Sequence, residues 1–109
     1  MAAEVVWLDQ ALDDLDALAA YLEPLNPRAA TAYADAIWSA SERLASFPRS
    51  GRIFFDEFRM IVVRNHLLFY RYDLQPNQIR IVRVLDGRMD YPRLLGLPPT
   101  IGQEEIPVG

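Results

Sequence analysis

Apolar positions recur with helical spacing over residues 8–22, where Leu8, Ala11, Leu12, Leu15, Leu18, Ala19 and Leu22 follow the i, i+3, i+4, i+7 rule. The spacing predicts an amphipathic helix. Asp9, Asp13, Asp14 and Asp16 crowd its start, where acids favour the helix dipole and read as a solvated face. Glu23-Pro24 breaks the pattern. Asn26-Pro27 restarts it, with asparagine as N-cap and proline in the first helical turn. A second helix then runs to about Ser46, with Ala30, Tyr33, Ala34, Ile37, Ser41 and Leu44 along one face. The short connection predicts an antiparallel helical hairpin. Tyr21 and Trp38 lie off the two stripes, as ordinary packing or as a partner-binding patch.

The periodicity then changes. Phe47-Pro48-Arg49-Ser50-Gly51-Arg52 reads as a breaker-rich linker. Residues 59–64, 66–73 and 79–85 are rich in β-branched and aromatic side chains, with short polar segments between them. They predict an antiparallel meander, to which a short strand at 4–7 adds. The fold class is therefore α+β, a helical hairpin on a three- to four-stranded antiparallel sheet. Both faces of the strands are largely apolar, which is unusual for a sheet with one wet side. The hairpin covers one face. The other needs the tail, a partner or exposure. A turn at 64–66 would set Arg59 opposite Arg71 and bring Arg83 close by. The expectation is a cluster of three arginines that takes an anion or a partner, unless Asp56, Glu57 or the tail acids neutralise it.

Charge sharpens the division of the chain. Residues 1–45 carry eight acids and two arginines; residues 46–95 carry nine arginines and five acids. Every basic residue is arginine, whose planar fork suits carboxylate or phosphate, although base composition of a genome produces the same bias. With 109 residues the chain predicts one domain over 1–95, followed by a flexible or partner-dependent tail over 96–109. No cysteine is present, so disulfides, thiolate metal sites and cysteine nucleophiles are excluded. No apolar run reaches the roughly 18 residues of a membrane span, and the first residues lack the layout of a signal peptide. A cytoplasmic protein without membrane contact is the expectation. The single histidine, His66, sits at a turn, and no metal-ligand set, phosphate-binding glycine loop or nucleophile elbow is visible. No cofactor is expected.

The ordered set VVWLDQALDDLDALAAYL, NPRAA, LASFPRSGR and HLLFYRYDLQPNQIRIVRVLDGRMD resembles the RelE/ParE toxins of bacterial toxin–antitoxin modules over about residues 4–95. The resemblance implies a strand, a helical hairpin and an antiparallel sheet. It implies a cognate, ParD-like antitoxin that covers apolar surface, and no sequence-specific DNA binding by the chain itself. Two activities occur among such proteins, binding and inhibition of DNA gyrase, and ribosome-dependent cleavage of mRNA. A nuclease needs a base, cations for the developing phosphorane charge and an acid for the leaving oxygen. Arg59, Arg71, Arg83 and Arg88 are the candidate cations and Tyr91 the candidate acid. The base is the weak point, because Asp86 stands where similar toxins often have histidine, and His66 is expected at the far end of its strand. The resemblance therefore implies a ParE-like gyrase inhibitor rather than an enzyme. Its candidate partner contacts are Tyr21, Trp38, Arg59, Arg71, Arg83, Asp86 and Arg88. The alternatives are a RelE-like endoribonuclease and a non-toxic interaction module of the same fold.

Overall fold

The computed structural model describes residues 1–89 and 91–96. The predicted tail, apart from Gly96, lies outside them. In chain order the elements are β1 (Glu4–Trp7), α1 (Asp9–Leu22), α2 (Pro27–Ser46), β2 (Arg52–Phe55), β3 (Phe58–Val63), β4 (His66–Asp73), β5 (Gln78–Asp86) and α3 (Tyr91–Leu94). No helix among the described residues is long and apolar enough to cross a membrane.

The helical hairpin forms as its sequence dictates. The Asn26 side chain accepts a hydrogen bond from the Ala29 N–H at 3.2 Å and caps α2, which Pro27 opens. The face that α1 presents is rotated from the expected one. Leu8 and Leu12 stay 37 % and 39 % exposed, while Ala11 is fully buried and Asp14 is drawn inward.

The sheet has five strands in the order β1-β5-β4-β3-β2, with β1 parallel to β5 and every other pair antiparallel. The additional strand, β2, starts at the last residue of the expected linker and runs through residues 53–55, for which no element was expected. Its four residues are too few to show an alternation, and a register shift between Ile53 and Phe55 interrupts it further.

Both sheet faces are indeed buried. The helices pack on Leu68, Tyr70, Ile79, Ile81 and Val84, together with Ala11, Ile37, Ala40 and Leu44. Leu67, Phe69, Met60, Leu85 and Phe54 form a second core on the opposite face, covered by Tyr91 and Leu95. Leu67, Leu68, Phe69 and Tyr70 are thus consecutive and all buried, the signature of a strand without a wet side.

The register differs from the expected one. A two-residue turn, Arg64-Asn65, joins β3 to β4, with Arg64 at φ 57° and Val63 facing His66. Arg59 therefore pairs with Tyr70, and Arg71 with Phe58. A shift of one residue reverses the face of each side chain, so Arg59 and Arg71 lie on opposite faces. The three-arginine cluster does not form. Arg71 instead faces Arg80 across β4–β5, and this like-charged pair is neutralised by Glu57, 2.8 Å from Arg71, and Asp73, 3.3 Å from Arg80.

Candidate functional site

A cavity of about 440 Å³ opens between the helical hairpin and the ends of β4 and β5. Leu18, Leu22, Leu85 and Met89 supply apolar wall; Tyr21, Tyr33, His66, Arg83, Asp86 and Arg88 supply polar groups. The sheet register builds its polar edge, because His66 at the start of β4 pairs with Asp86 at the end of β5. The expectation that His66 stands far from position 86 is therefore corrected: antiparallel pairing brings the start of one strand beside the end of the next.

His66 is held by the hydroxyl of Tyr33. The Asn65 N–H donates to the Tyr33 hydroxyl at 2.9 Å, and that hydroxyl lies 2.6 Å from His66 Nδ1. The Tyr33 hydroxyl thus links the β3–β4 turn to the imidazole. Burial pushes the His66 pKa below its usual value; Asp86 opposes the shift and Arg88 reinforces it. The imidazole also meets the Tyr33 ring edge-on at 5.0 Å.

Asp86 is clasped by a near neighbour in sequence. Arg88 donates its backbone N–H and Nε to Asp86 Oδ1 at 2.8 and 3.1 Å, and Nη2 to Oδ2 at 2.9 Å. These bonds, side chain first, hold the carboxyl well below the usual carboxylate range. The turn role of Asp86 and its charge are thus one structure.

Arg83 is fixed in the same manner. A register shift in β5 between the partners of Phe69 and Tyr70 lets it meet α1, where Nε and Nη2 form a two-pronged pair with Asp14 at 2.8 and 2.9 Å. Asp14 Oδ2 also accepts the Val84 N–H at 3.0 Å. Asp14 is only 11 % exposed, which corrects its reading as part of a solvated acidic face. Its position was legible, since it lies three residues after Ala11 and four before Leu18, on the stripe that packs against the sheet.

Of the predicted site residues, Tyr21, Arg83, Asp86 and Arg88 therefore meet around one cavity. Four others lie elsewhere. Trp38 stacks on Trp7 with ring centroids 5.1 Å apart. Arg59 donates to the Gly51 carbonyl at 2.8 Å. Arg71 pairs with Glu57 beside the Phe58 ring. Tyr91 packs between Phe54 and Phe69, with centroids at 5.5 and 5.6 Å, in the second core. Sequence reasoning missed Tyr33, His66 and Asp14 as site residues.

A family model described as the ParE toxin of type II toxin–antitoxin system, parDE, matches residues 5–91. The chain belongs to this family. Toxin RelE2 of Caulobacter vibrioides is 34 % identical over 82 residues, covering 75 % of this chain and 92 % of that protein. Both likenesses place this toxin in the RelE/ParE superfamily. Two solved structures share the fold. A chain of the chromosomal ParDE system from P. aeruginosa superposes with a TM-score of 0.68 at 20 % identity, over 78 % of this chain and 96 % of its own. A chain of the RelBE2 toxin–antitoxin complex from Mycobacterium tuberculosis gives 0.59 at 22 % identity, over 79 % and 99 %. In this ParE-family toxin the cavity lies where α1, α2 and the β5 end meet, and its charges are paired internally.

Proposed function

We propose that this type II toxin acts as a ParE-like inhibitor that binds DNA gyrase, and that a cognate antitoxin neutralises it. The observation that carries the reading is the commitment of every candidate cation. Arg83 is held by Asp14, Arg88 by Asp86, Arg71 by Glu57 and Arg59 by a backbone carbonyl. Cleavage of RNA would need such cations aimed at developing phosphate charge. Here an ionised Asp86 stands on the cavity edge instead and repels a phosphate. Tyr91, the candidate acid, is packed among aromatic rings. What remains at the cavity is a surface for protein contact, with Tyr21 69 % and Met89 48 % exposed on its rim. An antitoxin partner is supported by the two solved neighbours, which are described as toxin–antitoxin systems.

The test is direct. Purified toxin is expected to block gyrase supercoiling, and the product of an adjacent antitoxin gene is expected to relieve the block. Intact supercoiling together with mRNA cut at the ribosome overturns the proposal. The nuclease reading rests on a neutral His66 beside Arg83 and Arg88; in that case His66→Ala abolishes cleavage while leaving the fold intact.

A further inference from the structure

The residues of the second core are buried, but the sheet face beside them carries an exposed apolar side chain, Val62. The cover of that core, Tyr91 and Leu95, lies over Phe69, Met60 and their neighbours. At the β3–β4 turn the same sheet face continues into a groove lined by Val62, Arg64, Asn65, Leu67, Gly87 and Arg88. Val62 is 69 % exposed there, beside buried Leu67. Two arginines flank this apolar floor. Arg64 lies over the Tyr33 ring and has no carboxylate partner among the described residues. Arg88, although it clasps Asp86, keeps 88 % of its side chain exposed. The groove therefore suits a segment that carries an apolar side chain next to acids.

The chain itself continues with such a segment. Residues 97–109 read LPPTIGQEEIPVG, with Glu104 and Glu105 directly before Ile106. They follow Leu95, which packs on the cluster that contains Leu67. The ten residues between Leu95 and Ile106 span up to about 35 Å when extended. We propose that the segment 97–109 docks in this groove, with Ile106 on Val62 and Leu67 and the two glutamates facing Arg64. Exposed ion pairs are individually weak. Tethering supplies an effective concentration in the millimolar range, so weak contacts suffice.

The chain has no cysteine, so paired substitutions report the contact cleanly. In the full chain at low concentration, Val62→Cys with Ile106→Cys is expected to form an intramolecular disulfide at least tenfold faster than Tyr21→Cys with Ile106→Cys, whose partner lies on the helical side. Adding Arg64→Glu slows the first pair, and Glu104→Arg with Glu105→Arg then restores it. A nitroxide on Ile106→Cys broadens the amide signals of Val62, Leu67 and Gly87. Equal rates for the two pairs, disulfides only between molecules, or rates indifferent to the charge changes overturn the proposal.

Discussion

Asp14 shows how one residue can fix two elements. It accepts from both prongs of Arg83 and from the Val84 N–H, tying α1 to the end of β5. Asp14→Ala leaves a mostly buried guanidinium without its anion. The expected loss is about 3 kcal/mol, at the low end for a mostly buried pair, read as a lower midpoint in urea denaturation. Asp13→Ala, with its exposed carboxylate one residue away, is expected to change the midpoint little. His66 adds a pH dependence whose sign follows from its lowered pKa. The unfolded chain takes up its proton near 6.5, before the folded one does. Stability is therefore full above 6.5, falls as pH drops through that value, and levels off below the folded pKa. Thermal unfolding from neutral to mildly acidic pH is expected to show this fall, and His66→Gln to flatten it. Asp86 acts in a separate window. Its contribution is full above the ordinary carboxylate value, declines as pH falls below that value, and is gone below its much lower folded value. Of these residues, Asp14 could be read from helical spacing. His66 could not, because its hydrogen-bond partner Tyr33 stands 33 residues earlier on α2.

At the scale of elements, the segment before β2 is held by a close contact rather than by pattern. The Gly51 N–H donates to the Tyr70 hydroxyl at 2.9 Å, and that hydroxyl donates to the Pro48 carbonyl at 2.8 Å. A Cβ at position 51 would stand 2.7 Å from both Tyr70 Cε1 and its hydroxyl oxygen. Tyr70 is fully buried and cannot swing away. Gly51→Ala is expected to cost about 1–3 kcal/mol by overpacking, measured by chemical denaturation. Arg59 donates to the carbonyl of the same glycine, so this turn joins the linker to β3. Read alone, Phe47–Arg52 is only a run of breakers. The helices were legible because each repeats its apolar stripe over several turns, and β4 and β5 because they are long. β2 was not, since four residues with an irregular register carry too little pattern.

On the scale of the whole molecule, folding sets the acidic helical half against the arginine-rich strand half, but joins them at one buried pair, Asp14–Arg83. The other paired arginines find carboxylates within the strand half: Glu57, Asp73 and Asp86. The toxin thus meets its target with its candidate cations already engaged, and for that reason the gyrase and ribosome assays are expected to divide in favour of gyrase. The sequence by itself determined the helical hairpin, the three long strands and the need to cover two apolar sheet faces. Those properties depend on side-chain periods within a single element, and they survive without knowledge of any neighbour. Only the tertiary structure decided the strand register, the fifth strand and the meeting of Tyr33, His66, Asp14 and Arg83 around one cavity. A turn shorter by one residue moved Arg59 and Arg71 to opposite faces and brought His66 beside Asp86. Pairing between strands depends on such single-residue differences, and no pattern within a strand records them.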